Sequence, residues 1–240
     1  QHNNPQTAKA YESYKAVQSY KRQINTTDDS IIGLLNDANE EVANENSNKN
    51  AYIVSTQRDL IAGEVSKDIA KRKIMPTDIL EAHETGAIHV HDMDYLIQPM
   101  FNCCLINLKD MLDNGTVING KMIDSPKSFQ VACTVTTQII AQVASAQYGG
   151  QSINGIDRIL APYVRKSYDK YLSQVLEEQK EIYKIDIDME AAERVAWKRT
   201  RKEVKDGVQT IQYQINTLMT TNGQSPFVTL FMHFEPGYAY

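Results

Sequence analysis

The residues of this chain best suited to redox chemistry are its three cysteines, Cys103, Cys104 and Cys133. They include no Cys-x-x-Cys pair and cannot all be joined in disulfides, so we expect a reducing compartment and at least one free thiol. Because consecutive side chains of an extended segment point to opposite faces, only one of the adjacent pair can face a given interior. By residue type alone, each thiol could equally be a small buried packing residue.

Two histidines form a second candidate group. The segment Ile88–Asp92 alternates apolar and polar residues, which predicts a short strand or extended segment with His89 and His91 on one face. Two imidazoles so placed could bind one metal ion, but the sequence offers no evident third or fourth ligand, and we predict no metal site. Hydrogen-bonded histidines near a turn explain the pair equally well. Asp92 and Asp94 are better explained as turn formers than as an acid–base pair.

A third candidate lies where Ser125 and Pro126 predict a helix start, because serine is a favoured N-cap and proline suits the first turn. Free N–H groups, the helix dipole and Lys127 could together bind an anion there. A plain capping sequence explains the same residues. Gln138 follows Lys127 by about three helical turns, so both side chains can face one groove. Alanine and serine residues on this helix would let a second helix approach closely.

The elements that position these residues follow from hydrophobic spacing and from capping signals. One helix is predicted to end near Arg22, and the polar run Asn44–Asn50 predicts an exposed loop. A helix is predicted from Ser55, as its N-cap, to about Ile69, and a short one over Asp78–Glu84. Another short helix is predicted to close with Met111 and Leu112 and to end at Gly115. Longer helices are predicted over Ser125–Tyr148, Gly155–Glu181 and Met189–Met219. Apolar spacing in the last helix predicts a packing seam at Val204, Val208, Ile211, Ile215 and Leu218. The β-branched and aromatic run Pro226–Met232 predicts a buried strand.

Composition excludes several classes of protein. With 240 residues, of which 42% are hydrophobic, the chain can bury a sizeable core. Its net charge of −5 argues against a protein that binds the DNA backbone. The apolar stretches are far shorter than the ~18 residues of a membrane span, and the first residues do not resemble a signal peptide. We therefore expect a cytoplasmic protein that binds neither DNA nor membranes.

Several separated motifs, in a fixed order, carry a resemblance to a known family. They are Phe101–Leu112 (FNCCLINLKDML), Ser125–Ser128, Gln138–Ser145, Tyr148–Gly150, Asn216–Leu218 and Asn222–Thr229. Together they resemble the large subunit of the anaerobic (class III) ribonucleoside-triphosphate reductases, from about Ser55 to Met232. Such an ordered set is far more specific than any single motif.

The resemblance implies an α/β fold. It predicts that residues 55–240 form the N-terminal, mostly helical part of a ten-stranded α/β barrel of the glycyl-radical enzyme and ribonucleotide reductase type, truncated here. Residues 1–22 resemble the tail of an ATP-cone regulatory domain, and residues 23–54 would be a linker.

The implied activity is the reduction of ribonucleoside triphosphates to 2′-deoxyribonucleoside triphosphates by glycyl and thiyl radical chemistry, which supplies DNA precursors. The family is homodimeric, responds to ATP and deoxynucleotide effectors, and takes electrons from formate or a thiol protein. An activating radical-SAM enzyme with an iron–sulfur cluster forms the glycyl radical. The radical glycine and the cysteine that it oxidises lie outside these 240 residues, so we expect this chain alone to be inactive.

The resemblance also assigns roles to residues. Cys103, after Asn102, matches the inner cysteine that gives a hydrogen atom to the substrate, for which a weak S–H bond is suited. His89 and His91 would lie near the substrate pocket and orient formate or a ribose hydroxyl. Lys127 and Gln138 would bind the deoxynucleotide effector at the dimer interface. Cys104 and Cys133 receive no role.

Two alternatives stay open at this point. Another glycyl-radical enzyme, of the formate-lyase type, has adjacent cysteines like Cys103 and Cys104, although the effector helix does not fit it. A helical dimerisation module that binds a nucleotide would use the helix rich in small residues without any radical chemistry.

Overall fold

The computed structural model describes residues 27–36, 53–184, 186, 188–220 and 225–233. The chain divides into two compact units, Gln1–Met100 and Phe101–Tyr240. The predicted helix near Arg22 and the predicted loop Asn44–Asn50 lie outside the described residues. Within the predicted linker, residues 27–35 are helical (α1).

The described part of the first unit is mostly helical. Helix α2 (Val54–Ile69) continues into a π-helical turn (Ala70–Ile74), and α3 (Thr77–Glu84) follows. Both helices were predicted, but the prediction of Ser55 as N-cap is wrong, because Ile53 holds that position and no side chain among the described residues caps it. The segment Ile88–Asp92, which was predicted to be a short strand or extended, belongs to no strand of the described sheets. Asp92, at φ 51°, then turns the chain into a short 3-10 helix, Met93–Tyr95.

The second unit, over its described residues, is built on three parallel strands, β1 (Cys104–Leu105), β4 (Gln151–Asn154) and β5 (Val228–Phe231), in the order β1-β4-β5. In register, Cys104 pairs with Gln151, which pairs with Val228. A hairpin of β2 (Thr116–Ile118) and β3 (Lys121–Ile123) lies between β1 and β4 in sequence. Its turn, Asn119-Gly120, has positive φ at both positions, as a tight hairpin turn requires.

In the described part of the second unit, four helices accompany this sheet: α4 (Leu108–Asp113), α5 (Phe129–Ala144), α6 (Ile156–Glu177, extended by a π-helical turn to Ile182) and α7 (Met189–Thr217). The predictions for α6 and α7 are confirmed. The helix predicted over Ser125–Tyr148 is shorter at both ends. Its N-cap is Ser128, whose Oγ accepts the N–H of Val131 at 3.4 Å. The prediction that Ser125 is the N-cap is therefore wrong.

The core of the second unit centres on α5, which α6 and α7 cover. The seam of α7 runs along buried residues that are mostly small: Ala192, Ala196, Thr200, Glu203, Gly207 and Ile211. The prediction of a packing seam is correct for Ile211, which is buried, and for Val204 and Ile215, which pack against the core. It is wrong for Val208, whose side chain is 54% exposed. The true seam was missed because small and polar residues carry no hydrophobic signal.

The two faces of the parallel sheet differ. Ile153 is fully buried and Cys104, Val228 and Leu230 pack against the core, whereas Leu105 on the other face is 80% exposed. The run Pro226–Met232 was predicted to be a buried strand, but β5 alternates between half-buried and exposed residues. The prediction of burial is therefore wrong for the described part of the chain. We call the exposed side of this sheet the open face.

These elements make a helix-rich α/β arrangement with a small parallel sheet, which agrees with the predicted α/β class, whereas the ten-stranded barrel stays a prediction. Among the described residues, no helix is both long and apolar enough to cross a membrane.

Candidate functional site

Residues 101–104, which we call the thiol loop, are fastened to residues 148–150 by backbone hydrogen bonds. Tyr148 N–H donates to the carbonyl of Phe101 at 3.2 Å, and Gly149 N–H donates to that of Asn102 at 2.7 Å. Cys104 N–H donates to the carbonyl of Gly150 at 3.2 Å. The two segments thus extend the parallel pairing of β1 with β4, and they fix the backbone on both sides of Cys103.

Cys103 presents its thiol to the exterior of the second unit. The side chain is exposed, and its Sγ lies 3.3 Å from Oδ1 of Asn102, to which the S–H donates. Since this contact uses the thiol hydrogen, it orients that hydrogen as well as the sulfur. An exposed thiol of this kind can give up its hydrogen atom once the hydrogen bond to Asn102 is broken.

The other two thiols are placed differently. Cys104 is half-buried and packs against the core, and burial, followed by the neighbouring Cys103, raises the pKa of its thiol. Cys133 is fully buried on α5, where burial and then the charge of Glu203 raise its pKa to about 12. The adjacent cysteines therefore do point to opposite sides, as their spacing predicts.

In the first unit, His89 and His91 are exposed and lie side by side, with ring centroids 5.8 Å apart. His83, at the end of α3, extends the row, 5.6 Å from His89, and its Nδ1 accepts the N–H of Val90 at 3.2 Å. Sequence reasoning missed His83, although its place in the last turn of a helix before the histidine segment was a usable signal. Within the described residues, no group of three or more His, Cys, Asp or Glu residues could hold a metal ion.

Lys127 and Gln138 are both exposed, but they belong to different structural contexts. Lys127 precedes the N-cap Ser128 and so lies outside α5, whereas Gln138 lies on the exposed side of that helix. Lys127 and Gln138 therefore do not sit three turns apart on one helix, as the predicted boundaries required. Their role in effector binding stays a prediction.

The N–H groups at the start of α5 are already occupied. Phe129 N–H donates to Oγ of Ser167 at 2.8 Å, and Gln130 N–H donates to Oε1 of Glu203 at 2.8 Å. Ser167 Oγ also donates to that carboxylate oxygen, at 3.0 Å. The expectation of free N–H groups for a bound anion is wrong at this helix start. The carboxylate of the buried Glu203 stands where such an anion would bind.

An open groove of about 500 Å³ lies beside this helix start, and sequence reasoning did not identify it. Its lining includes Lys170, Tyr171 and Arg199 together with Glu203 and Asp206. Arg199 forms a two-point ion pair with Glu178, with both N–O distances 3.0 Å, which lowers the pKa of that carboxyl group. The charges lining this groove therefore largely neutralise one another.

Comparison with known proteins places these features in a family. The family model described as anaerobic ribonucleoside-triphosphate reductase matches residues 45–239. Anaerobic ribonucleoside-triphosphate reductases from Haemophilus influenzae and Escherichia coli are 44% and 45% identical over 94% and 93% of this chain. The enzyme of Enterobacteria phage T4 is 44% identical over 85% of the chain. These matches cover 31%, 30% and 32% of the relatives, so the chain spans about a third of their length.

Solved structures show a similar fold. The anaerobic ribonucleotide reductase of Thermotoga maritima in complex with dATP and CTP matches 74% of this chain and 28% of its own, with a TM-score of 0.55 at 14% identity. The same enzyme with MES in its active site matches 96% of this chain and 36% of its own, with a TM-score of 0.54. The sequence relationship, however, is what decides the family: this chain belongs to the anaerobic ribonucleoside-triphosphate reductases.

Proposed function

We propose that this chain forms part of an enzyme that reduces ribonucleoside triphosphates to 2′-deoxyribonucleoside triphosphates without oxygen, and so supplies DNA precursors. The observation that carries the proposal is the exposed thiol of Cys103, oriented by Asn102 at the edge of the open face. Sequence similarity to reductases along nearly the whole chain supports it. The comparisons lend no support to a formate-lyase relative or to a dimerisation module.

In this proposal Cys103 gives the hydrogen atom of its S–H group to a ribose carbon, so that one S–H bond breaks and one C–H bond forms. Asn102, whose Oδ1 accepts the S–H group, holds the thiol in place before the transfer, and this hydrogen bond breaks when the hydrogen atom leaves. The glycyl radical, on a residue outside this chain, supplies the unpaired electron that starts the chemistry. In the net reaction with formate, the 2′ C–OH, formate and a proton give the 2′ C–H, carbon dioxide and water; a thiol protein would instead become a disulfide.

We further propose that the open face lines the interior of a ten-stranded barrel, and that the remaining strands belong to the rest of the full-length protein. Parallel sheets are normally covered on both faces. Leu105 is 80% exposed and Phe231 51% exposed on the described part of this sheet, so large apolar side chains here call for a cover. Such a cover would exclude water from Cys103, which protects radical chemistry from side reactions.

The remaining assignments extend the same proposal. His89 and His91 would orient formate or a ribose hydroxyl, because exposed imidazoles can donate or accept hydrogen bonds. Lys127 and Gln138 would bind the deoxynucleotide effector in a homodimer. ATP regulation would involve residues 1–22 as the tail of an ATP cone, with residues 23–54 as its connection. A radical-SAM enzyme would activate the full-length protein in the cytoplasm.

The test uses the full-length activated enzyme. Cys103→Ala is expected to abolish deoxynucleotide formation, because alanine has no hydrogen atom that can be transferred in this way. The glycyl radical should still appear in the electron paramagnetic resonance spectrum, since its residue is untouched. Cys104→Ala is the matched control and should retain most of the activity, because Cys104 faces the core. Turnover near wild type in Cys103→Ala would rule out the proposed role.

A further inference from the structure

Gly149 lies where a side chain would collide with the thiol loop. A Cβ atom on Gly149 would be 2.1 Å from Oδ1 of Asn102, 2.5 Å from its carbonyl oxygen and 3.0 Å from Sγ of Cys103. Gly149 is not among the glycines with positive φ, so its backbone conformation alone does not require glycine. The requirement is for space, and the atoms that need the space are those that hold and carry the thiol.

We propose that Gly149 is a positioning residue for Cys103: its missing Cβ lets Asn102 accept the thiol hydrogen and fixes the sulfur at the open face. The inference rests on the proposed function of Cys103 and extends it to the segment that faces the thiol loop. Gly149 has no functional group of its own, so it acts only through its two neighbours.

The collision could not be relieved cheaply. One of the nearest atoms is the backbone carbonyl of Asn102, which accepts the N–H of Gly149 itself at 2.7 Å. An ordinary contact begins at 3.4 Å, so Oδ1 of Asn102, at 2.1 Å from the Cβ, must move by at least about 1.3 Å, and the amide oxygen then leaves the thiol. A misplacement of about 1 Å in a reacting group can cost ~10²-fold in rate.

The neighbouring Gly150 provides a matched control. A Cβ there would meet the ring of Phe227, with Cδ1 at 2.8 Å, while the nearest backbone atom, the Phe227 carbonyl oxygen, is 3.7 Å away. The ring is 57% exposed and can swing outwards. Gly150→Ala therefore adds the same methyl group one residue later without touching Asn102 or Cys103.

The experiment compares Gly149→Ala and Gly150→Ala in the full-length enzyme. For Gly149→Ala we expect kcat to fall about 100-fold, with KM for the ribonucleoside triphosphate nearly unchanged and with a normal glycyl radical signal. In the unactivated protein, the rate at which iodoacetamide alkylates Cys103, followed by peptide mass spectrometry, should rise several-fold because the thiol loses its hydrogen bond. Gly150→Ala should resemble wild type in all four measurements.

Cys133 reports whether the variants are folded, because it is fully buried beside α7. It should stay unalkylated in Gly149→Ala and in the double variant Gly149→Ala/Asn102→Gly, where the closest contact is removed. Wild-type kcat and wild-type alkylation of Cys103 in Gly149→Ala would overturn the inference. Alkylation of Cys133 in both variants would also overturn it, since Gly149 would then be needed for the fold. Normal turnover in Cys103→Ala would instead overturn the proposed function, while the alkylation result would still decide the role of Gly149.

Discussion

The three thiols of this chain share a chemistry but not an environment. Cys103 is exposed and hydrogen-bonded to an amide, Cys104 packs against the core one residue later, and Cys133 is enclosed by α5 and α7. Since the thiolate is the form that reacts with alkylating agents, access and pKa together set the reactivity of each side chain. The structure therefore predicts three different rates.

We expect iodoacetamide to alkylate Cys103 first, Cys104 more slowly and Cys133 last. Raised pKa values mean that the thiolates of Cys104 and Cys133 form at higher pH, so their alkylation profiles should shift towards alkaline pH. With a pKa of about 12, Cys133 should be almost inert at pH 8 while the fold is intact. Peptide mass spectrometry of the native protein over a pH series measures all three rates. Labelling of Cys133 before Cys103 would contradict the arrangement.

Helix packing in the second unit depends on close approach at one glycine. A Cβ on Gly207 of α7 would lie 2.7 Å from Cε1 of Phe129 and 2.9 Å from Sγ of Cys133, both on α5. Both neighbours are buried, so neither can move aside into solvent. The small residue at this position thus sets the distance between the two helices.

Gly207→Ala should destabilise the protein by about 1–3 kcal/mol, as overpacking of a filled core does. Gly63→Ala in α2 is the matched control, because its Cβ would meet the nearest atom, of Asp94, at an ordinary 3.6 Å. There the better helix propensity of alanine should stabilise α2 by up to about 1 kcal/mol. Hydrogen exchange of peptides from α5, α7 and α2 reports each change locally. Equal protection of α5 in wild type and Gly207→Ala would contradict the packing argument.

Sequence patterns predicted the long helices, but they did not predict the short strand or the buried side-chain contacts between elements. Helices α6 and α7 were identified because their length gives the helical period many repeats. Strand β4 (Gln151–Asn154) was missed because four mostly polar residues carry no strand signal; pairing with β1 on one side and β5 on the other makes them a strand. The burial of Glu203 on α7 could not be predicted from the sequence, because its hydrogen-bond partner Ser167 is distant in the chain.

The candidate site was predictable to a similar degree. Alternation in an extended segment correctly separated the directions of Cys103 and Cys104, and the family motif singled out the first. The close approach of Gly149 was not predictable, because it depends on tertiary contacts. Backbone hydrogen bonds between two separate segments leave no local signal in either one.

At the scale of the whole molecule, the open face of the parallel sheet carries two large exposed apolar side chains, Leu105 and Phe231, among polar ones. Leu105→Lys tests what covers it in the full-length protein. If the open face is a barrel interior, an unpaired lysine buried there should cost several kcal/mol. Met122→Lys on the hairpin, where the side chain is 61% exposed, should change stability by no more than about 0.5 kcal/mol. Denaturant unfolding measures both. A neutral effect of Leu105→Lys would show that water reaches this face.

The backbone pairing that fastens the thiol loop also imposes an order on folding. Residues 147–150 are translated after the hairpin and α5, and β5 emerges only after α6 and α7. At about 5–20 residues per second, a nascent chain carries its thiol loop for seconds before the facing segment exists. During that interval nothing distinguishes Cys103 from Cys104, and both are equally open to an oxidant. Cys103 becomes the more exposed thiol of the pair only when residues 147–150 dock. Oxygen met during synthesis would therefore oxidise either cysteine, whereas after docking Cys104 is packed against the core.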